Sequence, residues 1–297
     1  SELRGKDILT FEYPEVWTEE IAAFCEEHVV RFMTLDLNFN EIRPTAFQNP
    51  IWSEYTIMDS MGYYTEPFEF VLQAGDVITF EGKNSDLAIA EIVLSPADTV
   101  DSYADYIAKL DKQGLNKPGR GSIKIEGEYT SATSDKTIYP MEDGADALTS
   151  PHDPSRVLLN TIGGEKWQTA GQSASYKFSV SASGMYDIVT RFKQNVLDGM
   201  FVNRLLRIYS EGGSVKEGDL GYYNGIPFEE AKTLTFNYGD DWQVTKVTNG
   251  DQSLKFYFEE GVTYTIKFEV TLGAMAEVIN TVQDALDNIN ADYLAII

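Results

Sequence analysis

Lys255–Val278 reads KFYFEEGVTYTIKFEVTLGAMAEV. Polar and apolar residues alternate in places, Gly261 sits at the centre, and β-branched and aromatic residues are abundant. That is the pattern of two strands joined by a short turn. Glu69–Ile92, EFVLQAGDVITFEGKNSDLAIAEI, aligns with it without a gap at a constant offset of 186 residues. Six of the 24 positions are identical: Phe70/Phe256, Gly75/Gly261, Thr79/Thr265, Ala88/Ala274, Ala90/Ala276 and Glu91/Glu277. Chance gives about one or two identities at ordinary residue frequencies. The turn glycine and the apolar positions repeat together, so the pair reads as an internal duplication of a hairpin.

A chain of 297 residues suits two domains, each with its own core. The 17 Tyr and 16 Phe favour strands. Lys plus Arg is 23 against 47 Asp plus Glu, a net charge of -24. Such a chain repels nucleic acid and anionic lipid. The acidity either serves solubility or gathers carboxylates on a cation such as calcium, which takes oxygen ligands. Cys25 is the one cysteine, so no intrachain disulfide forms. With His28 and His152 alone, a His-rich zinc site is excluded. No apolar run approaches the roughly 18 residues of a membrane span, and no secretory signal opens the sequence. The chain is either cytosolic or a mature or trimmed form.

Taken in order, Thr18 caps a predicted helix over Thr18–Arg31, with Ile21, Phe24, His28 and Phe32 on one face. Cys25 and His28 share that face, which reads as a buried apolar stripe rather than a catalytic pair. Phe32–Leu94 looks all-β. Ser102–Asp105 matches a capping box ahead of Tyr106, Ile107 and Leu110, giving a short helix that closes a first module over residues 1–111. Breakers in Lys112–Ser122 read as a linker. A second module, 123–280, opens with the alternating IKIEGEY at Ile123–Tyr129. A hairpin is expected over Ala174–Val180 and Met185–Phe192, with further strands at Arg204–Tyr209, Leu234–Tyr238, Leu254–Phe258 and Thr263–Val270. Glu211–Gly225 reads as a long glycine-rich loop. Thr281 and Asp284 repeat the capping-box spacing, so a helix is predicted over 281–297, with Leu286, Ile289 and Tyr293 on one face. Its apolar end points to a further domain beyond it. The fold expected is mainly β: two antiparallel β-sandwich modules with short connecting helices.

IKIEGEY, the GxxW stretch Gly164–Trp167, YKFSVSASGMYDIVTRFKQN (Tyr176–Asn195), RLLRIY (Arg204–Tyr209), IPFEEA (Ile226–Ala231) and GVTYTIKFEV follow one another in the order seen in jelly-roll carbohydrate-binding modules. GYYTEPFEFVLQAG in the first module is similar. More narrowly, the chain resembles the tandem galactose-binding-like modules near the N-terminus of large extracellular solute-binding lipoproteins of Gram-positive bacteria, which serve ABC transporters for sugars. The likeness covers about Ile123–Ala295, covers Trp52–Leu110 in part, and leaves out Ser1–Asn40. It implies a lipid-anchored, cell-surface protein with a solute-binding domain following this stretch. Ser210–Gly225 departs from the family, whose strand runs quickly into the IPFEEA segment; this loop either touches sugar or covers the family's site.

Sugars stack an apolar face on an aromatic ring while amide and guanidinium groups fix the hydroxyls. The expected contacts are Trp167, Trp242, Tyr222 and Tyr223, with Arg191, Gln194 and Asn195 as polar partners; the plainer reading of both Trp residues is core. Glu126 and Glu128 alternate and so share a strand face. The resemblance implies a structural calcium against that pair and Glu277, where the family more often has Asp; otherwise the pair is an exposed acidic face. The function expected is non-catalytic capture of an oligosaccharide or polysaccharide. The alternatives are structural spacer or docking modules that bind no sugar, and a two-carboxylate glycoside enzyme, for which no pair stands out.

Overall fold

The computed structural model describes residues 2–4, 17–21, 34–42, 46–52, 54–59, 62, 66–81, 88–96, 99–196, 198–273 and 275–296. The N-terminal part holds short strands: β1 Glu2–Arg4, β2 Trp17–Ile21, β3 Thr34–Leu35, β4 Glu41–Ile42, β5 Ala46–Pro50 and β6 Glu69–Val71. Helix α1, Tyr103–Gln113, follows. Then come β7 Ala132–Thr133, β8 Pro140–Glu142, β9 Leu159–Ile162, β10 Ser173–Ser179, β11 Gly184–Asp187, β12 Val189–Gln194 and β13 Phe201–Glu211. The chain continues through β14 Asn224–Gly225, β15 Thr233–Asn237, β16 Gly239–Lys246, β17 Thr248–Asn249, β18 Gln252–Ser253, β19 Lys255–Phe258 and β20 Thr263–Thr271 to helix α2, Met275–Ile296.

These strands make a β-sandwich, as the alternation implied. One layer runs β14–β13–β20–β10–β7–β2–β5, with β15 also on β13. The other is formed by β11 against β19 and β12 against β16, all antiparallel. Alternate residues of each strand turn inward. Leu206 and Ile208 from β13, Tyr264 and Ile266 from β20, and Ala174 and Tyr176 from β10 share one core with Met185, Phe256 and Phe258. Aromatic rings carry the contact between layers: Phe178 meets Phe258 edge-on at 5.0 Å, and Phe258 lies 4.8 Å from Tyr264. Buried Phe side chains of this kind contribute about 1.5–3 kcal/mol each.

Both expected hairpins are corrected by this topology. β10 and β11 belong to different layers, and so do β19 and β20. Each turn is an arch that carries the chain across the core. Gly261, at φ 81°, turns the second arch, a conformation open to glycine. Gly75 has the corresponding left-handed φ of 100°, but the rest of the echo diverges. β6 pairs with β1 in parallel, and residues 76–81 and 88–96 form no strand.

α1 is capped as predicted: Ser102 Oγ accepts from the Asp105 N–H at 3.2 Å. It does not close a separate module. Tyr103, Tyr106 and Leu110 are buried in the sandwich core, with Phe228 4.9 and 5.2 Å from the two Tyr rings. Lys112–Ser122 is likewise built in. Met185 N–H donates to Lys117 O at 2.7 Å, and Gly119 N–H to Met185 O at 2.9 Å, so this segment extends the edge of β11. A Cβ on Gly119 would stand 2.3 Å from the Tyr186 ring, so glycine is required there.

Other expectations fail locally. Residues 17–21 are strand β2, not the start of a helix, and the rest of Thr18–Arg31, with Cys25 and His28, lies outside the described residues. Ile123–Tyr129 forms no strand: Tyr129 N–H closes a turn on Glu126 O at 3.1 Å. α2 starts at Met275, before Thr281, whose hydroxyl donates back to Glu277 O at 2.8 Å instead of capping. Among the described residues no helix is long and apolar enough to cross a membrane.

Candidate functional site

β12 and β16 pair with Arg191 opposite Val244. Phe192 turns inward and meets Phe236 at 4.8 Å. Arg191 and Lys193 therefore face outward with Trp242 and Val244. The Arg191 guanidinium lies 4.8 Å over the half-buried Trp242 ring, a cation–π contact.

The segment after β8 is laid over this pair. Arg191 donates to Leu148 O. Trp242 Nε1 donates to Thr149 Oγ1 at 3.0 Å, and that hydroxyl donates to Asp143 Oδ2 at 2.7 Å. Lys193 Nζ reaches Asp146 Oδ2 at 2.9 Å. The Lys193 hydrogen bond holds the Asp146 carboxyl below the usual carboxylate range. Buried Asn160 fixes the base of the segment, accepting from Asp143 N–H at 2.8 Å and donating to Pro151 O at 2.8 Å.

Beyond this segment lies an open groove of about 910 Å³, lined among others by Leu35, Phe39, Glu142, Asp143, His152 and Arg156. Its volume falls within the ~300–1,000 Å³ of small-molecule sites. The β3–β4 turn forms one lip. Asp36 Oδ2 accepts from the Asn40 side-chain amide at 3.1 Å, and Oδ1 from Asn40 N–H at 2.8 Å and Asn38 N–H at 2.7 Å; these bonds, the Asn40 amide foremost, hold its carboxyl low. Phe39 has φ 63°, the positive value found on a non-glycine residue among those described, and is 83% exposed. An aromatic residue held in that region and left in water is a local cost that the Asp36 turn sustains.

Of the expected sugar contacts, the fold unites Arg191 and Trp242. Asn195 is exposed at the end of the same strand. Gln194 is buried, its amide tying down Val196 N–H and Met200 O at 3.1 Å each. Trp167 packs against the core under Arg204, whose guanidinium is 4.8 Å from the ring, and donates Nε1 to Gln172 O at 3.0 Å. Burial pushes Arg204 down to about 10. Tyr222 is half-buried, whereas Tyr223 is a core residue at 5% exposure. Sequence reasoning missed Phe39, Asp143, Thr149, Lys193 and Asn160. Lys193 was within reach, because a residue two along from Arg191 must share its face.

The expected calcium ligands do not gather. Glu128 is buried, Glu126 pairs with Lys124 at 2.5 Å, and Glu277 is exposed in the first turn of α2. Among the described residues no group of three or more His, Cys, Asp or Glu could hold a metal ion. The residues present do not fit the ion.

No family model matches the chain, and no curated protein does. A solved structure of a Paenibacillus sp. cycloisomaltooligosaccharide glucanotransferase complexed with cycloisomaltoheptaose is similar at 19% identity and a TM-score of 0.31. The match covers 59% of this chain and 21% of that one. Likeness this distant assigns neither fold nor function.

Proposed function

We propose that this chain is a non-catalytic carbohydrate-binding protein, with its site in the groove between the Phe39 turn and the segment that covers Trp242. The observation that carries the reading is Phe39: a strained, exposed ring on the lip of a groove whose walls hold carboxylate, imidazole and guanidinium groups. A pyranose stacks its apolar face on such a ring while charged planar groups take its hydroxyls. The Arg191–Trp242 pair holds the segment that forms one wall of the groove, through Leu148 O and Thr149 Oγ1.

The order of motifs from Ile123 supports a narrower version: an extracellular, lipid-anchored solute-binding protein of a sugar ABC transporter, with a solute-binding domain following this stretch. The spacer or docking reading has its own support in α2, where Val282, Leu286, Ile289 and Tyr293 are each at least 54% exposed.

Binding to a broad glycan array tests the site, with Phe39→Ala and Arg191→Ala beside the parent. A hit on one glycan class that weakens about tenfold in both, roughly 1.4 kcal/mol, with melting unchanged, is the expected result. A blank array on folded protein would refute sugar binding and leave the spacer reading.

A further inference from the structure

The outer face of the large layer carries an unfinished electrostatic arrangement. Arg207 on β13 stands directly opposite Lys267 on β20, and like charges so placed destabilise a sheet. Glu269 pairs with Lys267 at 2.8 Å. Among the described residues Arg207 has no such anion. It is 5% exposed, its Nε has no hydrogen-bond partner among them, and one Nη donates to the Met58 Sδ at 3.0 Å. A thioether is a weak acceptor. A buried guanidinium is normally matched by a carboxylate that takes two of its N–H groups at once.

What covers Arg207 is the segment 54–59. Met58 is 6% exposed over the guanidinium, and Tyr55 lies beside it, its phenol pushed to about 12 by burial, with the Glu269 charge next. Asp59 is on the same segment, next to Tyr55. Phe68 N–H donates to Ile57 O at 3.0 Å, and Thr271 Oγ1 to Gly62 O at 3.5 Å. On the other side of Arg207, β14 presents Gly225, where a Cβ would stand 3.9 Å from Nη1, so the edge of the guanidinium faces a residue without a side chain.

We propose that Arg207 is the anchor of a second ligand site, for a carboxylate such as that of a uronic-acid sugar, and that Met58 occupies the carboxylate's place. The site is separate from the Phe39 groove and stands or falls independently of it. Lys267 supplies a second cation at the rim, Glu269 keeps that cation positioned, and the covering segment limits access until displaced.

Calorimetric titration with glucuronate, acetate and glucose tests it on the parent chain, Met58→Ala and Met58→Ala/Arg207→Gln. Met58→Ala is expected to bind glucuronate at least tenfold tighter than the parent, and the added Arg207→Gln to remove the gain. Acetate binding as well as glucuronate assigns the site to the carboxylate alone; glucuronate without acetate assigns it to the uronic sugar. A gain for glucose in Met58→Ala equal to that for glucuronate, or no gain for glucuronate, overturns the proposal. A ligand-free check uses Met58→Glu against Met58→Gln. A tethered carboxylate at Arg207 is expected to melt several degrees above the amide, and a lower melting temperature for the Glu variant also overturns it.

Discussion

Tyr223→Phe separates a sugar contact from a core tie. Two hydroxyls and two backbone groups form a closed ring of three hydrogen bonds. Tyr223 OH donates to Tyr257 O at 2.9 Å, so its oxygen must accept from Tyr106 OH at 2.8 Å, and the Tyr106 oxygen accepts from Tyr257 N–H at 2.8 Å. The ring fastens α1 to β19 through the glycine-rich loop. Removing the Tyr223 hydroxyl leaves the Tyr106 proton and the Tyr257 carbonyl without these partners in a dry interior. Each orphaned group costs about 1–3 kcal/mol, so the variant should lose about 2–4 kcal/mol. The half-buried neighbour provides the control, since Tyr222→Phe should stay within about 0.5 kcal/mol. Guanidinium unfolding at constant m measures both. Equal stability of the two variants, or a loss of glycan affinity in Tyr223→Phe with no loss of stability, would refute the core assignment.

Leu110, fully buried in the sandwich core, tests whether α1 belongs to that core: Leu110→Ala should cost about 2–5 kcal/mol in a single cooperative transition, and a separate early transition would argue for an independent helix. Burial raises Tyr106 to about 12 and holds Tyr223 well above the ordinary tyrosine value. The fold thus retains protons that the unfolded chain releases near pH 10, and stability should fall as pH rises from about 10 through 12. Unfolding at pH 9 and 11.5 checks the sign, and a more stable protein at the higher pH contradicts it. Because Glu126, Glu128 and Glu277 do not gather, adding calcium to chelator-treated protein should leave the melting temperature unchanged; a rise of several degrees would place a metal site outside the described residues.

The strands were legible because their alternation is local. KFYF and TYTIKFEV had to place one set of side chains in a core, whatever they paired with. What pairs with what was not local. An arch and a hairpin share a short turn and a glycine, and only the partners β11, β10 and β13 show that β19 and β20 lie in different layers. β16 escaped notice because Asp240 and Asp241 open it and its apolar Trp242 and Val244 face outward; its register exists only against β12. IKIEGEY shows the converse. Its alternation has no partner strand to use, and Ile123 and Ile125 stay 47% and 38% exposed. The site was half legible for the same reason. Arg191 and Trp242 stood out as residue types, but Phe39 and Asp143 reach the groove by folding from far along the chain.

Glycine and proline misled most where they seemed clearest. Gly114, Pro118, Gly119 and Gly121 in quick succession read as a linker, because breakers deprive a segment of regular structure. Glycine also appears where two backbones must touch. Here Gly114, at φ 68°, ends α1 as a left-handed cap, and Gly119 meets Gly184 so closely that a Cβ on the latter would lie 2.6 Å from Gly119 Cα. Close packing and free linkage thus demand the same residue in sequence. They differ in the partner: Gly184 opens β11 after the small-residue turn Ser181–Ser183, and a strand edge flanked by such a turn can accept a second backbone. The stretch that looked loosest is therefore an edge of the sandwich itself, tied to Met185 through Lys117 and Gly119.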